Sequence, residues 1–221
     1  MGWFSSACSF VGGAISSIGS AVASIGGALA SSAGNFLKIA SPYLGAVVQV
    51  IQMVATFLDV IKPEDKVDEL GARAMQADKK SEDFESNAKY IEYLKNDIVL
   101  DTEKFEKAKD SEKVARTAIG MTIVAKGIEE KKGFDIPLNT WVNLAKLDLT
   151  DKANEIDKVL DTFKGEKIED FNDYIEAKIE LPSKEKEVGD TLVSMYKELE
   201  PNLSEAEIES KVMKMEIGES K

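Results

Sequence analysis

Aliphatic side chains recur at alternating steps of four and three residues between positions 11 and 29. This spacing is typical of a helix that keeps one face toward a partner, and it predicts a long helix from about residue 11 to residue 37. The seven-residue period also predicts a left-handed supercoil. The seam of this helix consists of Val11, Ile15, Ile18, Val22, Ile25 and Leu29.

A stripe of small residues runs beside the seam and repeats every seven positions at Gly12, Gly19 and Gly26. Each glycine costs a helix about 1 kcal/mol relative to alanine, so this helix would not persist alone in water. Small residues let two helix backbones approach closely, which is a common packing device of membrane helices. We therefore expect the seam and the glycine stripe together to form a helix-packing and assembly surface.

A second helix is predicted after Ser41, a suitable N-cap, with Pro42 at its first position. The chain then carries no charge until Asp59 and is apolar on nearly all sides of a helix. Such a helix is buried in protein or in lipid, and from residue 42 to residue 61 it would span about 30 Å, close to a bilayer core. The predicted buried face is Val47, Val50, Ile51, Val54 and Leu58.

Residues 1–61 are thus predicted to form an apolar helical hairpin that turns near Lys38. Three environments remain open for it: a flexible linker, the interior of a soluble core or assembly, and a membrane. Linkers lack regularly spaced aliphatic residues, whereas Gln49 and Gln52 interrupt a conventional transmembrane anchor. In composition the segment resembles the glycine-repeat peptides of bacteriocins and membrane-active toxins, and this resemblance implies membrane contact.

Residues 62–221 show a different pattern, a succession of short amphipathic helices separated by polar breaks. No window alternates with the period of a strand, so the fold class is predicted to be all-α, a glycine-heptad hairpin followed by an acidic multi-helix bundle. A break over residues 133–137 suggests two parts within the bundle. Ser204 and Glu207 form a predicted capping box at the start of the last helix.

Charge is distributed as unevenly as hydrophobicity. Lys38 and Asp59 are the two charged residues before position 62, so the net charge of −12 lies in the bundle. This charge argues against nucleic acid as a partner, and Arg73 and Arg116 are the only arginines available for bidentate phosphate contacts. A basic protein partner of the acidic domain remains open.

Chemical machinery is nearly absent from the sequence. The chain has no histidine and one cysteine, which excludes Ser-His-Asp and Cys-His catalysis, ordinary zinc sites and an internal disulfide. The series Asp148, Asp151, Asn154 and Asp157 lacks the glycine turn and the terminal glutamate of a calcium loop. We predict that the protein is not an enzyme and has no cofactor, metal site or catalytic residue.

The N-terminus carries no basic stretch before its apolar residues, so a Sec signal peptide is not expected. Gly2 and Ser6 match the loose myristoylation pattern and Cys8 is a candidate palmitoylation site, but an ordinary apolar start explains these residues better. The expected location is the cytoplasm of the producing cell, with membrane association or export by a non-Sec route open.

These observations favour a self-assembling, membrane-active helical protein of the toxin, pore-forming or secreted type, with itself and membrane lipid as partners. The alternative is a structural subunit of a filament, tube or particle, in which the N-terminal hairpins pack against one another without lipid.

Overall fold

The computed structural model describes the backbone of residues 3–149 and 152–216, and the side chains of residues 11–149 and 152–216. Within these ranges all regular structure is helical, which confirms the all-α prediction. The chain divides into two compact units, Met1–Gly133 and Phe134–Lys221. This division coincides with the break predicted at residues 133–137, and the boundary predicted after residue 61 lies inside the first unit.

The first unit is organised around α8 (Asp110–Lys132), a helix of 23 residues. Helices α1, α3, α4, α5 and α6 all contact α8, which is buried on nearly every side between Ala115 and Ile128. The apolar faces of the N-terminal helices therefore have a partner within their own chain. The helices of this unit are α1 (Trp3–Ser20), α2 (Val22–Ile25), α3 (Gly27–Ala40), α4 (Leu44–Phe57), α5 (Val67–Gln76), α6 (Asn87–Asn96), α7 (Thr102–Lys107) and α8 (Asp110–Lys132).

The helix predicted over residues 11–37 is interrupted in the structure. It consists of α1, the single turn α2 and α3, and the interruption before α3 lies at Gly26, with φ of 85° and ψ of 155°. Only glycine adopts this backbone region readily because it has no Cβ. Helices α1 and α3 contact each other and α8, so the heptad sequence covers α8 with two helices.

The turn predicted near Lys38 is not where the structure places one. A helix continues from Gly27 to Phe57 and passes through a 3-10 turn at Ser41–Tyr43. Pro42 lacks an N–H and its ring conflicts with regular α-helix interior geometry, so a short tighter turn accommodates it without ending the helix. Proline at a helix start and proline inside a locally tightened helix present the same sequence pattern.

Helix α4 ends four residues earlier than predicted, because Asp59 adopts a left-handed conformation with φ of 55°. The backbone N–H of Val60 then donates to the carbonyl oxygen of Ala55 at 2.8 Å, which satisfies one of the last carbonyl groups of the helix. The side chain of Gln52 donates to the carbonyl of Asp65 at 3.3 Å, so this apparent polar interruption connects α4 to the following loop.

The closest helix crossing of the first unit lies between α5 and α8. A Cβ on Gly71 would lie 1.8 Å from the carbonyl oxygen of Arg116, and a Cβ on Gly120 would lie 1.8 Å from the carbonyl oxygen of Val67. Each helix thus places a backbone carbonyl where the other helix lacks a side chain. The side chain of Arg116 also connects α8 to α7, because its Nη1 donates to the carbonyl oxygen of Phe105 at 2.7 Å.

The second unit is a bundle of short helices with buried polar groups at its centre. Asn172 donates to the Thr140 hydroxyl at 2.9 Å, and Asn143 donates to the Glu176 carboxylate at 2.9 Å. The predicted capping box is present, with Ser204 and Glu207 bonded reciprocally. The helices of this unit are α9 (Leu138–Lys146), α10 (Ala153–Thr162), α11 (Lys167–Ile175), α12 (Pro182–Leu199) and α13 (Glu205–Met213).

Candidate assembly and membrane-contact surface

The predicted heptad seam lies mostly against the interior of the first unit. Ile18, Ile25 and Leu29 are buried, with exposed fractions of 2%, 0% and 7%. Val11 and Ile15 are half-buried, and Val22 is 38% exposed. Since α1 and α3 contact α8, the face that the period marks as partner-facing already has a partner within the chain.

The apolar residues predicted on the second helix are placed in the same way. Val47, Val50, Ile51 and Val54 are fully buried, and Leu58 is half-buried. Burial of each such side chain contributes about 1.5–3 kcal/mol, so this face stabilises the packed form substantially. Any function that uses this face outside the unit requires α4 to leave its present contacts.

The three glycines of the predicted stripe have two different roles. Gly12 and Gly19 are exposed, and a Cβ on either would meet no atom of the described side chains and backbone within 4 Å. Gly26 is the bend before α3, and a Cβ there would lie 2.7 Å from the carboxylate oxygens of Glu82. A carboxylate near the N-terminus of α3 is favourable because the helix dipole is positive at that end.

We call the exposed residues of α1–α4 together the outer face. It is small and weakly polar, and Lys38 is its one charged residue, although an exposed surface commonly carries about 25–35% charged residues. Four large apolar side chains, Val22, Ile39, Tyr43 and Phe57, are 38–48% exposed on it. Its other members include Gly12, Ser16, Gly19, Ala23, Gly27, Ala28, Ser31, Asn35, Gly45 and Gln49.

One helix among the described residues is long and apolar enough to cross a membrane by length and composition. It is Gly27–Phe57, with 31 residues, and 33% of its most apolar window is buried. Core helices of soluble proteins and N-terminal signal sequences meet the same criterion, but core helices are mostly buried. With 33% of this window buried, the helix is less covered than a core helix that is mostly buried.

Comparison with models of known families, with curated proteins and with solved structures gave no match. The geometry of the described residues is therefore the remaining guide to function. In the ranges that the structure describes, no group of three or more cysteine, aspartate or glutamate side chains could hold a metal ion. Gly2, the Cys8 side chain and Asp151 lie outside the described residues, so the hypotheses about lipidation and the acidic series stay predictions.

The close packing of α5 against α8 was not predicted from the sequence. Gly71 and Gly120 each stand alone inside an otherwise helical pattern, where a glycine is costly. An isolated helical glycine often has a packing reason, and that signal was available in both segments. The sequence also indicates that α8 is buried, because residues 118–125 carry no charge.

Proposed function

We propose that this is a non-enzymatic, membrane-active protein whose N-terminal helices exchange their packing on α8 for contact with lipid and with copies of themselves. In this proposal α1–α4 act as a detachable apolar segment, and the acidic helices keep the packed form in solution. The observation that carries the proposal is the helix Gly27–Phe57, which holds one charge in 31 residues and has only 33% of its apolar window buried.

The energetics favour a conditional change of state. In water, the buried faces of α1, α3 and α4 are stabilised by α8, and their exposure would be costly. A bilayer offers an apolar environment for the same faces and also accepts the outer face. At 1.5 Å per residue the helix measures about 46 Å, so it spans a core of about 30 Å with tilt or with its ends at the interface.

A reversible covalent link between α1 and α8 tests the detachment directly. A Cβ on Gly13 would lie 3.1 Å from the Cβ of Ser111, near the separation of about 3.8 Å found in disulfides. We expect the variant Gly13→Cys, Ser111→Cys, Cys8→Ser to release no dye from liposomes when oxidised and to regain release after reduction. The two single-cysteine variants should release dye in either state. Equal release by the locked and reduced forms would contradict detachment of α1 from α8.

A charge on the outer face provides a second test. Gly45 is exposed near the middle of the long helix, and nothing lies within 4 Å of a Cβ there. Gly45→Lys should fold normally but lose flotation with liposomes, because a lysine at a bilayer centre costs roughly 2.5–3.5 kcal/mol. Gly45→Ala is the matched control and should float like the wild type. A lysine at Ile51 is less informative, since Ile51 is fully buried in the packed form.

The second candidate function is a structural subunit that assembles through the outer face without lipid. The exposed glycines Gly12 and Gly19 favour it, since they let a helix of another copy approach α1 closely. The disulfide lock separates the candidates, because association through an outer face does not require α1 to leave α8. Concentration-dependent assembly of the locked protein in lipid-free buffer, with no dye release in either redox state, would favour the structural subunit.

A further inference from the structure

A groove in the second unit lies between α12 and α13, above Tyr174 of α11, and has a volume of about 690 Å³. The buried side chains of Tyr174 and Val212 form its floor, and Gly189, Val193 and Met213 also line it. Met213 is 73% exposed, although it is a large apolar side chain.

Gly189 keeps the groove open. A Cβ at this position would meet only the Tyr174 ring and hydroxyl, at 3.7–3.8 Å, which is ordinary van der Waals contact. No close approach of backbones therefore requires glycine here, unlike at Gly71 and Gly120. Glycine is also a poor helix former, so α12 would be more stable with a side chain at this position. The effect of the glycine is to leave the space above Tyr174 unfilled.

The rim of the groove carries more carboxylates than lysines. Lys186 pairs with Asp190 at 2.6 Å, and Lys197 pairs with Glu205 at 2.6 Å. The remaining rim carboxylates are Glu185, Glu209 and Glu216, for which the described residues provide no ion pair.

These carboxylates act on one another and on the groove floor. Burial and the charge of Glu185 raise the pKa of Glu216 above its usual value. Burial, followed by the charges of Glu216 and Glu185, raises the pKa of Tyr174. Negative potential is thus concentrated at the Tyr174 end of the groove, where a cationic group would relieve it.

We infer that this groove docks a basic amphipathic helix of a partner protein. The apolar side of that helix would lie between α12 and α13, and its lysine or arginine side chains would reach Glu185, Glu209 and Glu216. A helix fits because two neighbouring helices leave a furrow that a third fills, with apolar anchors at helical spacing. A second copy of this chain is a poor occupant, because its net charge is −12 and its uncharged segment contributes only Lys38 as a cation.

The probe is a fluorescent synthetic helix of leucine and lysine with one apolar face, titrated with the full-length protein and followed by anisotropy. A scrambled peptide of equal composition controls for charge alone. We expect saturable binding of the amphipathic peptide and at least about tenfold weaker binding of the scrambled one. Raising salt from about 50 mM to about 300 mM should weaken binding markedly, because surface charges are screened.

Matched variants locate the binding. The double change Glu185→Gln, Glu216→Gln should raise Kd about tenfold. The control Glu166→Gln, Glu180→Gln changes the charge of the same unit equally but lies outside the groove. It should change Kd by less than about twofold. Gly189→Leu should fill the groove and abolish binding while helicity and thermal stability are retained.

Three results would overturn the assignment. The first is the absence of saturable binding at low salt, and the second is equal binding of the scrambled peptide. The third is unchanged affinity in both the rim variant and Gly189→Leu. The groove lies wholly within the second unit, so these outcomes are independent of the membrane proposal.

Discussion

Two sets of glycines in the first unit, one periodic and one isolated in sequence, differ in what lies against them in the structure. Gly71 and Gly120 are helical, and the backbone of the opposite helix occupies the place of their missing side chains. The glycines of the N-terminal helices are helical as well, but a Cβ would meet nothing within 4 Å at Gly12, Gly19, Gly27, Gly34 or Gly45. A regular glycine period therefore does not indicate where helices approach most closely within this chain.

The difference lies in what offsets the cost of a helical glycine. At the crossing of α5 and α8, close backbone approach gives dispersion contacts and Cα–H to carbonyl contacts that a larger residue would prevent. At Gly12, Gly19, Gly27, Gly34 and Gly45, no close contact with the described residues offsets the cost of about 1 kcal/mol for each glycine. Contact of the outer face with lipid or another copy would offset it.

The largest effect is expected from removing the N-terminal helices. A fragment of residues 62–221 would expose the side of α8 that α1, α3 and α4 cover. We expect it to lose cooperative unfolding in its first part and to bind a hydrophobic dye, while a fragment of residues 134–221 remains helical and monomeric. Circular dichroism, dye fluorescence and sedimentation measure this. A monomeric 62–221 fragment with one sharp transition would show that α8 does not need these helices.

The next largest effect is expected at the close crossing. Gly71→Ala and Gly120→Ala each place a methyl group 1.8 Å from a carbonyl oxygen, so α5 and α8 must separate. We expect each change to lower the free energy of unfolding by at least about 3 kcal/mol in urea titrations. Losses below about 1 kcal/mol would mean that the two helices separate easily, and the contrast between the glycine sets would fail.

An intermediate effect is expected at the bend. Gly26→Ala forces alanine into a backbone region that is almost exclusive to glycine, at a cost of about 1–3 kcal/mol. It also brings a methyl group against Glu82. Combining it with Glu82→Ala should remove the collision and leave the backbone strain. The double variant should therefore stay less stable than Glu82→Ala alone, as measured by thermal unfolding, and equal stability would assign the effect to the collision.

The smallest effect on the stability of the monomer is expected at the exposed glycines, where the substitutions should stabilise the protein. Gly12→Ala and Gly19→Ala should each raise the free energy of unfolding by up to about 1 kcal/mol, because alanine favours the helix and meets no neighbour. Destabilisation would show that these positions are packed within the chain.

Self-association can be measured separately from stability in variants of Gly19. Gly19→Leu should leave the monomer folded and weaken self-association, because a large side chain would hold a second helix away. Sedimentation at several concentrations measures this effect. The corresponding leucine at Gly26 is less informative, since the bend would be strained whether or not the protein assembles.

Much of the local structure follows from the sequence alone. The all-α class, the capping box at Ser204 and the break near residue 133 are readable because each depends on neighbouring residues, through hydrophobic period, side-chain caps and glycine or proline. The concentration of charge after residue 61 is likewise a property of the sequence itself. These features require no knowledge of which helices meet.

Tertiary structure alone decided what the apolar faces contact. The heptad period marks a face that needs a partner, but the same period suits a second copy, a bilayer or another helix of the chain. The structure supplies α8 as the partner of α1, α3 and α4, whose Ile18, Leu29 and Val50 are buried, and Gly26 interrupts the helix so that two segments reach it. Hydrophobic burial is not directional, so a sequence specifies that a face must be covered, and only the packing of the whole chain determines by what.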